Sequence, residues 1–272
     1  MGPPLRAAPV NNRDRGTRVK TSVLENRRAL LASIALAGAL AVALLSLASS
    51  AQGGARAGAL YPHSTKLTDD KIAHWAVLMR RTVVRAKPSL ASRVVTTLPA
   101  GTTDGTQNDV LVLSRIDISP RSSWYWVRLP ILPNNTTGFV RKNDLSPLFS
   151  VNTHLYINRG ALTATLKRNG QVVFKTRVGV GKSYWPTPRG EFYVRDKLTN
   201  FNNPFYGPLA FGTSARSAVL TDWPGGGYVG IHGTNEPQLV PGRISHGCIR
   251  MRNAAILALA RLMHVGTPVT IR

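Results

Sequence analysis

The 272-residue sequence predicts a mainly β protein with two domains, which follow a basic and then apolar N-terminal segment. Three observations support this fold class. Short runs of β-branched and aromatic residues, separated by turn residues, fill the stretch from Trp75 to about Leu148. An Asn-Gly turn at residues 169–170 opens a second β-rich stretch. Hydrophobic residues make up 43% of the chain, which is ordinary for globular protein, so both stretches are expected to fold.

The N-terminal segment has the features of an export leader. Residues 1–28 form a basic flank, which is expected to stay cytoplasmic, and residues 29–51 contain no charged residue. This apolar run is longer than the roughly 7 to 15 residues of a signal-peptide core and close to the roughly 20 that span a bilayer. It is therefore either a signal peptide cleaved near Ala51 or an uncleaved membrane anchor. Either form places the rest of the chain in the cell wall or periplasmic space.

The charge of the chain predicts a polyanionic partner. The formal net charge is +23, and residues 51–272 still carry 28 Lys and Arg against 10 Asp and Glu, which leaves +18. Nucleic acid and an anionic cell envelope attract such a protein by the same non-specific electrostatics. The export leader argues against a specific nucleic acid, so we expect anionic cell-wall polymers as the partner.

Residues 52–72 are rich in Gly, Ala and polar residues, and we interpret them as a linker. Residues 73–148 contain several short strand-like runs, which suggest a small closed barrel. This domain resembles the bacterial SH3-like domain, a family that often docks exported enzymes onto wall polymers; a spacer without a ligand is the alternative. The runs that predict strands are 75–79, 82–85, 93–98, 110–113, 124–129 and 138–140.

Residues 151–272 form the second predicted domain. Polar and apolar residues alternate over 162–167, and the Asn-Gly turn joins this strand to a strand at 172–174. A helix is predicted after Asn253, which can cap it, and Gly266 is expected to end it. Residues 269–271 then predict a closing strand. The apolar face of the helix would consist of Ile256, Leu259, Ala260 and Met263.

The single cysteine of the chain, Cys248, lies in a Ser-His-Gly-Cys sequence, and His232 lies sixteen residues upstream. A thiol with a pKa near 8.5 is only slightly ionised at neutral pH, so a nucleophilic Cys248 needs a base, which could be His232 or His246. In an extended strand His246 and Cys248 would point to the same face. Gly233 and Gly247 suggest tight turns whose N–H groups could face an oxyanion.

Two other interpretations of this cluster are less favoured. A lone buried cysteine is commonly an inert apolar residue, although two nearby histidines argue for a reactive one. His232, His246 and Cys248 could also bind zinc, but no fourth ligand is evident and the metal would occupy the nucleophile. We therefore predict neither a metal nor a cofactor.

The sequence around these residues is similar to the YkuD-type L,D-transpeptidases. The resemblance rests on residues 231–237, on residues 245–251, and on residues 184–192, which resemble the Thr-Pro-x-Gly-x-Phe element of that family; it spans about 151–272. It implies a β-sandwich-like domain with small flanking helices. The implied activity is acyl transfer on peptidoglycan stem peptides, which forms 3→3 cross-links through a cysteine thioester. Carbapenem-type β-lactams are the implied inhibitors.

The resemblance also implies roles for individual residues. Cys248 would be the nucleophile, His232 its base, oriented through the carbonyl of Gly233, and His246 would shape the site. The amides of Gly247 and Cys248 would form the oxyanion hole. The aromatic residues that could line the cleft or belong to the core are Trp185, Tyr206, Trp223 and Tyr228.

Three further residues belong to the motif loops. Ser245, Thr234 and Arg250 would hold these loops or contact substrate, and Arg250 could meet a substrate carboxylate. Competing functions are an L,D-carboxypeptidase or cysteine peptidase of the wall, with water as acceptor, and a wall-binding protein without catalysis. All the residues with predicted roles in the reaction lie beyond residue 151. We therefore expect a carbapenem to acylate the second domain even without residues 73–148.

Overall fold

The computed structural model describes residues 60–102, 105–199, 203–220 and 227–272. The predicted export leader at 1–51, the first part of the predicted linker and Trp223 lie outside these residues. Within the described ranges, no helix is both long enough and apolar enough to cross a membrane.

The first sheet contains the strand runs predicted between residues 75 and 140. Its strands pair in the order β4-β3-β7-β6-β5-β2-β8, and β1 pairs with β5. These pairings leave β4 and β8 at the two edges, so the closed SH3-like barrel stays a prediction. The strands are β1 (His63–Lys66), β2 (Ala73–Val77), β3 (Thr82–Arg85), β4 (Val94–Leu98), β5 (Asp109–Ser119), β6 (Ser122–Arg128), β7 (Thr137–Arg141) and β8 (Phe149–Val151).

Strand β1 falls within residues 52–72, so the interpretation of that whole stretch as a linker is wrong. All four residues of β1 are exposed, and the strand is held by its antiparallel register with β5, from His63 opposite Asp117 to Lys66 opposite Ser114. Because β1 buries no side chain, it has none of the hydrophobic alternation by which a strand is recognised in sequence.

The second sheet has ten strands in the described residues, in the order β11-β10-β9-β18-β13-β14-β15-β17-β12-β16. The predicted hairpin is confirmed, because Asn169 and Gly170 have φ values of 51° and 81° between β10 and β11. The strands are β9 (Thr153–Asn158), β10 (Thr163–Arg168), β11 (Gln171–Arg177), β12 (Gly179–Gly181), β13 (Gly190–Thr199), β14 (Leu209–Arg216), β15 (Tyr228–His232), β16 (Gly242–Ser245), β17 (Ile249–Arg250) and β18 (Pro268–Ile271).

The α-helix α1 (Asn253–Ala260) follows the cysteine motif as predicted. The four residues predicted for its inner face are all buried in the core of the second sheet. Its predicted boundaries are wrong, because Arg252 is the N-cap residue and the helix ends at Ala260. Short 3₁₀ helices lie at Lys142–Asp144, Pro204–Tyr206 and Pro237–Leu239.

Each sheet has its own hydrophobic cluster, and a third cluster joins them. Ala73 and Leu111 of the first sheet and Tyr193 of the second form this shared cluster. Gly266, with φ +84°, also packs against the ring of Trp75, since a Cβ there would lie 2.0 Å from Trp75 Cδ1. The two sheets are therefore packed against each other within one compact unit.

Candidate active site

The sheet topology brings Cys248 and His232 together although they are sixteen residues apart in sequence. Strand β15 ends at His232 and pairs in parallel with β17, so that Ile231 lies opposite Ile249. Cys248 immediately precedes β17 and lies beside Gly230, whose N–H donates to the Cys248 Sγ at 3.3 Å. The thiol and the imidazole thus come from neighbouring strands of one sheet.

The His232 imidazole is held in one tautomer. Its Nδ1 lies 2.6 Å from the Gly233 carbonyl oxygen, and because a carbonyl only accepts, Nδ1 carries the proton. Nε2 is therefore the basic nitrogen; it is buried and has no hydrogen-bond partner within the described residues. The orientation of His232 by Gly233, which the family resemblance implied, is present in the structure.

Burial also determines the charge of this pair. It lowers the pKa of His232 to about 4, because the side chain is only 1% exposed; the bond to Gly233 acts in the opposite direction, and the charge of Arg250 adds to the lowering. Burial raises the pKa of the Cys248 thiol, while the Gly230 N–H and Arg250 lower it. At neutral pH the pair is therefore a neutral thiol beside a neutral imidazole. The imidazole is free to accept a proton.

The turn that carries Cys248 is fixed by buried hydroxyl groups. The Ser245 Oγ donates to the Cys248 carbonyl at 2.6 Å and accepts from the Gly247 N–H at 3.1 Å. The Thr187 Oγ1 donates to the Gly247 carbonyl at 2.7 Å and accepts from the Gly181 N–H at 2.9 Å. Thr187 belongs to the Thr-Pro element noted in the sequence, but sequence reasoning assigned it no role.

The placement of His246 differs from the prediction. Strand β16 ends at Ser245 and β17 begins at Ile249, and Gly247 between them has φ +120°, so His246 and Cys248 do not alternate along a strand. His246 instead lies against Trp185, with ring centroids 4.0 Å apart and the ring planes tilted by 35°. The backbone N–H groups of Gly247 and Cys248 are the two predicted donors of the oxyanion hole. The Gly247 N–H donates to Ser245 Oγ within the turn, and the Cys248 N–H takes no part in that bond.

The loop after His232 is packed against the start of α1. A Cβ on Gly233 would lie 2.4 Å from Asn253 Oδ1 and 2.9 Å from Pro208 Cδ, so only glycine fits. Asn253 Oδ1 accepts from the Thr234 N–H at 2.8 Å, and Thr234 Oγ1 accepts from the Glu236 N–H at 3.0 Å. The side chain of Asn253 therefore holds this loop rather than capping its own helix.

Arg250 is a buried cation of the site. It is 3% exposed, pairs with Glu236 Oε2 at 3.0 Å through Nη1, and places its guanidinium 4.3 Å from the ring centroid of Phe205. Its Nε is buried without a hydrogen-bond partner in the described part of the chain. The partners Glu236 and Phe205 could not be identified from sequence, because neither belongs to the cysteine motif.

Cys248, His232 and Arg250 line a cleft with about 420 Å³ of empty space. Tyr206 lies against His232 with ring centroids 5.0 Å apart. In the described residues, no group of three or more His, Cys, Asp or Glu side chains is arranged to hold a metal ion. The cleft is lined by Phe205, Tyr206, Ser217, Leu220, Gly227, Tyr228, Val229, His232, Ser245, His246, Cys248 and Arg250.

Comparison with known proteins agrees with the motifs. The family model of the YkuD L,D-transpeptidase catalytic domain matches residues 152–271. The "Putative L,D-transpeptidase YkuD" of Bacillus subtilis strain 168 is 35% identical over 123 residues, which are 45% of this chain and 68% of the relative. The protein with the same description from Bacillus licheniformis is 35% identical over 109 residues, 40% of this chain and 59% of the relative.

One solved structure is also similar to part of this chain. The NMR structure of the catalytic domain from an E. faecium L,D-transpeptidase is 26% identical to this chain. The match covers 44% of this chain and 96% of that one, with a TM-score of 0.34. The first sheet lies outside the region that the family model matches.

Proposed function

The chain belongs to the YkuD family of L,D-transpeptidases, and on that premise we propose that it forms 3→3 peptidoglycan cross-links through a thioester on Cys248. Membership makes it an acyltransferase of the cell wall. The proposal adds the bond that is formed, the nucleophile and the base. The observation that carries it is the buried, neutral His232. Its Nδ1 is fixed by Gly233, and its Nε2 has no hydrogen-bond partner among the described residues, which suits it to accept a proton in the cleft that it lines together with Cys248.

In the first step, the Cys248 Sγ attacks the carbonyl carbon between the L-centre of a stem diamino acid and the terminal D-alanine. His232 Nε2 takes the thiol proton as the S–C bond forms, which avoids a standing thiolate in a buried site. When the tetrahedral intermediate collapses, the C–N bond breaks and His232 returns the proton to the leaving amine of D-alanine. The products are a thioester on Cys248 and free D-alanine.

In the second step, the side-chain amine of another stem peptide attacks the thioester carbonyl. His232 Nε2 takes a proton from that amine, the C–S bond breaks, and the proton returns to the Cys248 sulfur. The new amide joins the third residues of two stems. Dividing one amide exchange into two transfers is the usual advantage of covalent catalysis.

The other residues of the site have supporting roles in this proposal. The Cys248 N–H is the candidate donor to the oxyanion, because the Gly247 N–H is bonded to Ser245. Arg250 places a positive charge beside both reacting groups and has an Nε without a partner in the described residues, which suits it to attract a substrate carboxylate. His246 and Trp185 together would form one side of the acyl-donor site.

We also propose that the protein acts outside the cytoplasmic membrane, tethered or released through residues 29–51. The +18 charge of residues 51–272 would hold it near anionic wall polymers, and carbapenem-type β-lactams would acylate Cys248. Residues 73–148 are the candidate wall-docking domain. Binding to isolated sacculi should accordingly be tighter at low salt than at high salt.

Product analysis tests the proposed reaction. The full chain is incubated with a disaccharide-tetrapeptide, and mass spectrometry follows the products. We expect a dimer that has lost one D-alanine, and no dimer from a Cys248→Ala control. If the only product is a trimmed tripeptide, water is the acceptor and the protein is an L,D-carboxypeptidase. If the substrate is unchanged by a folded protein, the proposal fails.

A further inference from the structure

Tyr228 connects the catalytic cleft to the first sheet. It is the first residue of β15, and its half-buried side chain lines the same cleft as Cys248. Its hydroxyl donates to the carbonyl oxygen of Pro130 at 3.0 Å. Pro130 belongs to the loop between β6 and β7 of the first sheet, at residues 129–136. One wall of the cleft is thus bonded to an element that the family match does not include.

The same loop also holds the strand next to β15. The Asn134 Nδ2 donates to the Arg216 carbonyl at 2.7 Å, and the Arg216 N–H donates to Asn134 Oδ1 at 3.0 Å. This pair of bonds satisfies both backbone groups of Arg216, as a neighbouring strand would. Arg216 lies opposite Tyr228 in the antiparallel register of β14 and β15. The loop therefore holds both members of one cross-strand pair.

Two guanidinium groups lie close to the ring of Tyr228. The Cζ of Arg195 lies 4.5 Å from its centroid and that of Arg216 lies 4.9 Å away. Arg195 is buried, and two of its polar partners belong to the first part of the chain: Asp109 Oδ1 lies 3.9 Å from its Nε and Asn108 Oδ1 lies 3.4 Å from its Nη2. Removing the first sheet would leave this buried charge without those partners, which is costly.

The position of Tyr228 is transmitted along a short strand to the reacting groups. In β15 the alternate residues Tyr228, Gly230 and His232 share one face of the strand. Gly230 donates to the Cys248 Sγ, and His232 presents Nε2. A displacement of the strand at Tyr228 would therefore change the Gly230–Sγ bond two residues away and the base four residues away.

We propose that the β6–β7 loop of the first sheet is a positioning element for the active site, and that it acts through Tyr228 and Asn134. This inference rests on the proposed role of Cys248 as the reactive thiol. It reverses the expectation from sequence that residues 151–272 react without residues 73–148. The first sheet then has a role in catalysis in addition to any role in wall binding.

The interface offers a test variant and a control. Asn134→Ala with Tyr228→Phe removes the loop's bonds to β14 and β15 but keeps the aromatic ring. The control is Tyr193→Phe, which removes a bond between the sheets outside this loop, from the Tyr193 hydroxyl to the Asp109 carbonyl at 2.8 Å. Of the residues changed, only Tyr228 lines the cleft.

The readout is the rate of Cys248 alkylation by iodoacetamide as a function of pH, measured on the full chain together with its thermal midpoint. Because the Gly230 N–H lowers the thiol pKa, the cleft-side variant should shift the alkylation profile to higher pH. It should also slow alkylation at pH 7.5 by at least about threefold, because iodoacetamide reacts with the thiolate and its fraction falls. The control variant should lose thermal stability with an unchanged profile. If the thermal midpoint of the double variant is too low for the assay, Tyr228→Phe alone takes its place.

Identical profiles for both variants, whether shifted or unshifted, would overturn the inference, since the loop would then be an ordinary part of the interface. Alkylation requires only a reactive thiol, so this result is independent of the cross-linking assay. If the profiles separate but no dimer forms from stem peptides, the positioning role holds and the proposed reaction fails. If dimers form but the two alkylation profiles coincide, the proposed reaction holds and the positioning role fails.

Discussion

Acidification should destabilise the folded protein through His232 in particular. The folded state keeps this imidazole neutral down to a pKa of about 4, whereas the unfolded chain protonates it near the ordinary value of about 6.5. Between these two values the unfolded state binds more protons, so the free energy of unfolding falls as the pH is lowered from about 6.5 to about 4. A difference of about 2.5 pKa units corresponds to about 3 kcal/mol lost between pH 7 and pH 4.

The assay is urea unfolding followed by tryptophan fluorescence at pH 7, 6, 5 and 4, for the unmodified protein and for His232→Gln. Other groups also titrate over this range, so the quantity of interest is the difference in slope between the two proteins. Gln at 232 cannot protonate, and its unfolding free energy should fall by about 3 kcal/mol less over the same interval. His246→Gln is the control, because burial also lowers the pKa of His246 but the ring is only partly covered.

Equal pH slopes for the unmodified protein and for His232→Gln would refute the reasoning. They would mean that the folded protein protonates His232 as readily as the unfolded chain does. The imidazole would then gain a proton just below neutral pH, and the pair of neutral thiol and neutral imidazole would not persist into the acid range. The proposed timing of proton transfer depends on this distinction.

Three further outcomes are expected, each measured by acylation rate and thermal midpoint. Cys248→Ser should fold normally and be nearly inactive, because a hydroxyl is far harder to ionise than a thiol; substantial activity would remove Cys248 from its role. His232→Ala should slow acylation by roughly 10² to 10⁴-fold and His246→Ala by less, and a reversed ranking would make His246 the base. Thr187→Val leaves the Gly247 carbonyl and a buried N–H unpaired, so it should cost about 1–3 kcal/mol of stability and slow acylation; an unchanged midpoint would show that the turn does not need the hydroxyl.

The elements with a regular pattern were predictable from sequence. The hairpin around Asn169 was identified because its turn requires positive φ at two successive residues, and Asn-Gly satisfies that requirement. The inner face of α1 was identified because its apolar residues recur at helical spacing. Strand β1 lacked any such pattern, since it exposes all of its side chains and is defined by backbone pairing alone.

The site was predictable only in part, for a related reason. Cys248, His232 and the carbonyl of Gly233 lie in local motifs, and the structure brings them together. The geometry of His246 was not predictable, because the positive φ of Gly247 ends the strand that an alternating pattern would assume. Contacts between residues far apart in sequence could not be predicted from local motifs either. Asn253, for example, accepts a hydrogen bond from the N–H of Thr234, nineteen residues earlier in the chain.

The same limit applies to the contact between the two sheets. Tyr228 is an unremarkable aromatic residue in sequence, and Pro130 lies 98 residues before it. Neither the charge balance nor the strand pattern indicates that these two residues meet. A division of the chain at residue 150 by composition therefore separates parts that the structure joins through buried polar contacts.

Peptide mapping of the protein after reaction with a carbapenem tests the central claim most directly. The full chain is incubated with the inhibitor, its intact mass is measured, and the modified peptide is located by tandem mass spectrometry. We predict one adduct per chain, attached to Cys248, and none on Cys248→Ala under the same conditions. An adduct on any other residue, or none on a folded protein with a free thiol, would contradict the assignment of Cys248 as the acyl-accepting nucleophile.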